Sequence, residues 1–301
     1  MAEITELLKL GQTEEVWQRC CGFIDLSIGE FMSIQEQLLL EQLFLLKKSE
    51  LGRYILNGTD PYTMDEFRRR VPMTTYVDYC PALLEKREDI LPAKPKLWIQ
   101  TNGRSGLYPH KWIPYTEKFW AEAGLNFDAI AIFGSCKDRG DIAFGDNFKL
   151  LYAMGQPPYL TGNIAHKIEE ELGFEFLPPL SESDEMSFEE RVEKGFRLAL
   201  SGGMDGFFGM AGVLVAIGEK FRQGTGSTKL LNLLAEPRML SRLAKGYAKS
   251  KLARRPLMPK DLWSLRVITS MGRTALFIRR GLRNCGEGRL WRFTETARLP
   301  S

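Results

Sequence analysis

The residues best equipped for chemistry lie together in one short stretch, Thr101-Asn102-Gly103-Arg104-Ser105-Gly106-Leu107-Tyr108-Pro109-His110-Lys111-Trp112-Ile113-Pro114. Gly103 and Gly106 let the backbone turn so that successive N–H groups converge on one point, an arrangement that binds anions. Thr101 and Ser105 add hydroxyl donors, Asn102 adds an amide, and Arg104 and Lys111 add positive charge. Together they can hold a polyphosphate. The stretch lacks the GxxxxGK[ST] spacing of a Walker A loop. It also lacks the third glycine that opens a helix in a dinucleotide fingerprint. Taken alone, such a pattern more often marks a simple polar turn between two strands.

Elements on both sides must position this loop. Leu97-Trp98-Ile99-Gln100 reads as a short apolar strand running into it, and Trp112-Ile113-Pro114 as an extended segment leaving it. Upstream, the first ~60 residues read as helical: Phe31, Ile34, Leu38 and the LLLEQLFLLKK stretch place apolar side chains three and four apart. Gly52 is expected to mark a stop. Thr63 reads as an N-cap with Glu66 completing a capping box, and this helix should end before Pro72. Thr74–Asp78 is expected to cap another short helix ending near Leu84 or Lys86. Downstream, helices are expected over Phe119–Ile132, Asn163–Leu172 and Phe188–Leu200, and strands over Phe148–Ala153 and Gly173–Leu177. The alternation predicts an α/β fold.

Bulk composition narrows the function classes. The chain has 301 residues, 41 Lys+Arg against 38 Asp+Glu, and a net charge of +3, too small by itself to imply nucleic acid or a membrane surface. Its five cysteines show no CxxC spacing, and His110 and His166 are its only histidines, so no zinc site is expected. His110 reads as a loop residue and His166 as a helix-surface residue. The N-terminus is acidic and amphipathic, unlike a signal peptide. The apolar run Gly206–Gly218 falls short of the ~20 residues of a membrane span and suits a buried helix or strand. These features point to a cytoplasmic protein.

One further segment stands out. Over Met239–Arg255 the residues Leu240, Leu243, Ala244, Tyr247, Ala248 and Leu252 form one stripe, surrounded by Arg242, Lys245, Lys249, Lys251, Arg254 and Arg255 with no acid. Such a helix suits an anionic membrane or nucleic acid. It also suits a solvated surface, which the chain's near-balanced charge favours.

The stretch Asp65-Glu66-Phe67-Arg68-Arg69-Arg70-Val71-Pro72-Met73-Thr74-Thr75-Tyr76-Val77-Asp78-Tyr79 resembles the FRRRVPLTTYEDY segment of the acyl-acid amido synthetases of the auxin-responsive-promoter family. That family belongs to the adenylate-forming superfamily, with acyl-CoA synthetases, phenylacetate–coenzyme A ligases and luciferases. A short way downstream the family carries a phosphate loop of the form TSGT(S/T)xGKPKxIP, and TNGRSG…PHKWIP stands in the same place here. Pro157–Gly162, Phe176–Pro179 and Pro259–Trp263 also resemble segments of bacterial members.

The resemblance implies ATP-dependent adenylation of a small-molecule carboxylic acid, with Mg2+, then acyl transfer to an amine or thiol acceptor. It implies a binding role for Thr101, Asn102, Gly103, Arg104, Ser105 and Gly106, with Lys111 standing for the family's lysine. Three departures are visible. Asn102 replaces a serine, Arg104 replaces a threonine, and Tyr108 stands where the first lysine of GKPK would be, with His110 inserted before Lys111.

The family pattern further implies a helical part over residues 1–95, an α/β part with the phosphate loop over 96–275, and an atypical Arg-rich tail over 276–301. The expected fold is a helical segment followed by an incomplete large domain with a mixed β-sheet and surrounding helices. The adenine motif and small C-terminal domain that the family carries further on are not found in this sequence. The tail shows neither helical nor strand periodicity and reads as out of frame or truncated. The chain is accordingly expected to be a truncated, inactive ligase or to need a complementing C-terminal half. The alternative is a non-catalytic nucleotide- or partner-binding remnant. No nucleic acid, transmembrane segment or protein-held metal is expected.

Overall fold

A computed structural model of the protein describes residues 4–101, 108, 110–142, 144, 147–210, 212–213, 216, 236–271 and 289–293. The chain is α/β and divides into two compact units. One comprises Gln18–Asn126 with Pro157–Leu160, and the other Met1–Trp17, Phe127–Gln156 and Thr161–Ser301.

The first unit is mainly helical. Helix α3 (Ile28–Lys47) follows α1 (Ile4–Lys9) and α2 (Thr13–Cys21) in the chain. It starts at Ser27, whose hydroxyl accepts the Glu30 N–H at 3.3 Å while the Glu30 carboxylate accepts the Ser27 N–H at 2.8 Å. This reciprocal cap satisfies two donors that the first turn leaves open. Helix α4 (Glu50–Leu56) is capped by Ser49, which accepts the Gly52 N–H at 2.9 Å.

Gly52 therefore sits inside α4 and does not mark a stop. Its role is close packing: a Cβ there would lie 1.9 Å from the Leu46 carbonyl oxygen. The stop falls at Asn57, in the left-handed region with φ 48°. Helix α5 (Met64–Arg70) begins at Thr63, whose hydroxyl accepts the Glu66 N–H at 3.1 Å. The Glu66 carboxylate takes the Tyr62 N–H at 2.8 Å, one residue before the expected partner. The helix ends at Arg70, ahead of Pro72 as the sequence dictates. Helix α6 (Tyr76–Leu84) is opened by Asp78, which accepts the Thr75 N–H at 2.5 Å.

Strands β1 (Pro95–Gln100) and β2 (Trp112–Thr116) then pair antiparallel, with Gln100 opposite Trp112 and Ile99 opposite Ile113. Helix α7 (Glu117–Ser135) follows directly.

The second unit is built on a five-stranded sheet in the order β4-β3-β5-β6-β7, with every neighbouring pair parallel. Its strands are β3 (Lys149–Ala153), β4 (Glu175–Leu177), β5 (Gly206–Met210), β6 (Val267–Met271) and β7 (Arg289–Phe293). Parallel pairing requires long crossovers. They are made by α8 (Leu160–Leu172), α9 (Leu180–Ser183), α10 (Phe188–Gly202), α11 (Pro237–Leu252) and α12 (Pro259–Leu262). Leu151, Phe207 and Ile268 are aligned across β3, β5 and β6 and fully buried. They form a core with Ala199, Leu200, Met239 and Trp263. On the opposite face Tyr152 meets Phe176 and Phe208 edge-on, at ring centroid distances of 5.5 and 5.2 Å. Burial on both faces explains the continuous apolar reading of these strands.

One expectation is corrected here. The Arg-rich tail contributes β7, held by backbone register against β6. Five residues are too few to display a period, and strand pairing needs only main-chain groups. In α11, Met239, Gly246 and Ser250 are buried, while Leu240, Tyr247 and Leu252 of the anticipated apolar stripe are exposed. A Cβ at Gly246 would lie 2.5 Å from Leu262 Cδ2, so close approach to α12 selects the small residues for the inner face.

Candidate functional site

The neck of the glycine loop is a backbone clasp. Thr101 N–H donates to the Lys111 carbonyl at 2.9 Å, and Lys111 N–H donates to the Thr101 hydroxyl at 3.1 Å. The antiparallel register of β1 and β2 places these two residues opposite each other one step beyond the Gln100–Trp112 pair. Thr101 Oγ1 spends one lone pair on the clasp and keeps its own proton for an acceptor. On the other side of β1, Gln100 N–H donates to the Pro158 carbonyl at 3.0 Å. Asn102, Gly103, Arg104, Ser105 and Gly106 lie outside the described residues.

Helix α6 buttresses the returning arm. Tyr76 accepts the Trp112 N–H at 3.1 Å and donates its own proton to the Trp112 carbonyl at 3.3 Å. The Lys111 ammonium lies 5.2 Å from the Tyr76 ring centroid, within cation–π range. Burial pushes the Tyr76 phenol above its ordinary range, so it stays protonated near neutral pH. The Cys80 thiol donates to the Tyr108 hydroxyl at 2.7 Å. Tyr108 is thus tied to α6. His110 is half-buried and meets Trp112 edge-on at 6.2 Å, so it is less open than expected of a loop residue. The Lys86 ammonium lies 3.5 Å from the centroid of the Trp112 ring.

Tyr76, Cys80 and Tyr108 escaped the sequence reading as site residues. The only signal for Tyr76 was its place in the Thr74-Thr75-Tyr76 segment. Nothing in spacing alone joins α6 to a loop 25 or more residues away.

The second unit has a topological switch point of its own. β3 leads to β4 on one side, and β5 leads to β6 on the other. The connections therefore diverge between the carboxyl ends of β3 and β5, where open parallel sheets bind ligands. At the end of β3, the buried Arg191 donates to the Met154 carbonyl at 2.5 Å and to the Gln156 amide oxygen at 2.8 Å. Desolvation pulls its guanidinium below the usual range. The Gln156 side chain donates to the Asp184 carbonyl at 3.0 Å, and the Asp184 carboxylate meets His166 Nε2 at 2.7 Å. Tyr152 donates to the Thr161 carbonyl, and burial pushes this phenol far above its ordinary value.

Among the described residues no group of three or more His, Cys, Asp or Glu side chains is placed to hold a metal ion. Among them, too, no helix is long and apolar enough to cross a membrane. Cys20, Cys21, Cys80 and Cys136 are buried.

A search of the curated proteins finds no match. Residues 22–156 match the family model described as the GH3 family N-terminal domain. The matched stretch contains the Asp65–Tyr79 segment, both strands of the hairpin, and the loop between them. That model is the N-terminal domain of the family of auxin-responsive acyl-acid amido synthetases, of the adenylate-forming superfamily, and it is this N-terminal part that residues 22–156 are similar to.

Proposed function

We propose that this chain supplies the phosphate-binding front part of a ligase that adenylates a carboxylic acid with ATP. The observation that carries the reading is the clasp between Thr101 and Lys111 at the neck of a glycine loop, inside the family-matched segment. In the proposed reaction a carboxylate oxygen attacks the α-phosphorus, the bond to the bridging oxygen breaks, and pyrophosphate leaves with that electron pair. An amine or thiol then attacks the acyl carbon and AMP departs.

The requirement on the protein is to stabilise charge building on the β- and γ-phosphates. Preorganised N–H groups, hydroxyls and a cation do this without reorganising. We assign Thr101, Asn102, Gly103, Arg104, Ser105 and Gly106 to the phosphates and Lys111 to the developing charge. Magnesium belongs to the proposal as the nucleotide's counter-ion, which would neutralise part of the phosphate charge. The organisation into a helical part to residue 95, an α/β part over 96–275 and an Arg-rich tail belongs to the same reading.

A second reading is a partner-dependent or non-catalytic remnant. The exposed apolar side chains at the start of α3 favour it: Ile28 is 83%, Phe31 45%, Ile34 43% and Leu38 41% exposed. Apolar surface of this kind marks a contact face, and a complementing C-terminal half of the ligase is the partner that fits the family pattern. The test is carboxylate-dependent ATP–pyrophosphate exchange, measured on the chain alone and after mixing with such a half. Exchange in either sample supports the ligase. Nucleotide binding without exchange in both supports the remnant, and neither binding nor exchange refutes both.

A further inference from the structure

The sequence between Pro237 and Lys260 contains no acidic residue. Two of its cations are consumed internally. Arg242 donates to the carbonyls of Leu200 and Leu262 at 2.9 and 3.2 Å, and Arg255 grips Asp261 through two bonds of 2.7 Å. Arg238, Lys245, Lys249, Lys251 and Arg254 are exposed, and among the described residues none of them is in an ion pair. Elsewhere some exposed cations are paired, as in Lys96–Glu117, Lys118–Glu41 and Lys194–Glu182, and others, such as Arg68 and Arg70, share their helix with Asp65 and Glu66. Helix α11 and the two residues after it instead gather these five exposed cations with no acid among them.

Apolar side chains are interleaved with these charges. With Met239, Gly246 and Ser250 turned inward, the outward arc carries Leu240, Ala244, Ala248 and Leu252 at successive i+4 positions, with Tyr247 beside them. Leu240 is 41%, Tyr247 53% and Leu252 89% exposed. Arg238, Lys245 and Lys249 border this arc and Lys251 lies within it. Long lysine stems can lie along an apolar surface while their heads reach phosphate.

We propose that α11 docks this protein on an anionic phospholipid surface, lying in the plane of the headgroups. The charge selects an anionic partner. The leucines select a bilayer over a nucleic acid, because a duplex satisfies the lysines but offers Leu240 and Leu252 nothing to bury against. The helix is held from behind by Arg242 and by the close approach of Gly246 to Leu262, so it presents a formed face that need not fold on contact.

The experiment is co-sedimentation of the full chain with phosphatidylcholine vesicles with and without phosphatidylserine. Binding to the anionic vesicles that weakens with salt is expected, with little binding to the neutral ones. Changing Lys245, Lys249 and Lys251 to Gln should lower the partition coefficient roughly fivefold per lysine, on the order of a hundredfold together. Leu240→Ser with Leu252→Ser should also lower it, and because all five positions face solvent, the urea midpoint should stay unchanged in both variants. Failure of the wild-type chain to sediment, or equal sedimentation of the lysine variant, overturns the proposal. So does binding of duplex DNA or RNA that depends on the lysines but is indifferent to Leu240 and Leu252.

Discussion

Thr101 and Lys111 face each other across the neck of the glycine loop, joined by a main-chain bond of 2.9 Å and a side-chain bond of 3.1 Å. One threonine thus closes the hairpin and keeps a hydroxyl proton available at the loop's base. The pair ties a structural element to the proposed chemistry, and the first prediction follows from it.

Replacing Lys111 with Ala should weaken Mg-ATP binding by roughly tenfold, the scale of one charge-assisted interaction. Thr101→Val should weaken it too, and should also loosen the neck because the Lys111 N–H loses its acceptor. Titration calorimetry measures the first effect and amide exchange at Lys111 the second. Unchanged affinity in both variants would remove these residues from the site.

Tyr76→Phe keeps the ring beneath Lys111 but removes both bonds to the Trp112 main chain. The expected cost is about 1–2 kcal/mol of stability, seen as a melting temperature lower by several degrees. Tyr54→Phe, at a position 59% exposed, serves as the control and should not move it.

Gly195→Ala tests how closely α10 approaches the sheet. The added Cβ would lie 2.7 Å from the Leu177 carbonyl oxygen, and backbone cannot yield as a flexible side chain does. Destabilisation of about 1–3 kcal/mol is expected by urea unfolding. Gly212→Ala, at a position where a Cβ would meet nothing within 4 Å, should be far milder.

Asp261 accepts two bonds from Arg255 and one from the Met258 N–H at 2.9 Å. The Arg255 hydrogen bonds hold its carboxyl below the ordinary value of 3.8. A depressed carboxyl stabilises the fold above its unfolded value and loses that contribution as pH falls through its folded value. The stability gap between wild type and Asp261→Asn should therefore be constant from neutral pH down to about 5 and close below 3.8. A gap that persists undiminished through that acid range would contradict the assignment.

Burial gives the Tyr152 phenol the opposite linkage at alkaline pH. Its folded value is raised above the ordinary 10.0, so the unfolded chain releases the proton first. Stability should be insensitive to this group below pH 10 and fall above it. Tyr152→Phe should flatten that alkaline decline, as a pH series of urea midpoints would show.

Much of the architecture was written in local sequence. Thr63 with Glu66, Thr75 with Asp78, and the proline after Arg70 fix helix ends through bonds spanning three or four residues. The strand entering the loop, the strand leaving it, β3 and β4 were equally legible, whereas β5 read as helix or strand and β6 and β7 were not read as strands, because short apolar runs do not show which element they form. Local pattern failed where a residue's meaning depends on a distant neighbour. Gly52 looked like a stop, but Leu46 makes it a packing position. Local pattern also left open which way the stripe of Leu240, Tyr247 and Leu252 faces, and the close approach of Gly246 to Leu262 turns it outward. The binding of Tyr108 by Cys80 and of Trp112 by Tyr76 had no sequence signal.

The amino-acid sequence by itself determined the α/β alternation, the helix caps and the similarity of residues 22–156 to the GH3 N-terminal domain, since each rests on short-range chemistry or residue order. Only the tertiary structure decided which hydroxyl closes the loop, which aromatic ring receives Lys111 and which face of α11 meets solvent. Those outcomes depend on distances between segments far apart in the chain, and such distances are set by packing.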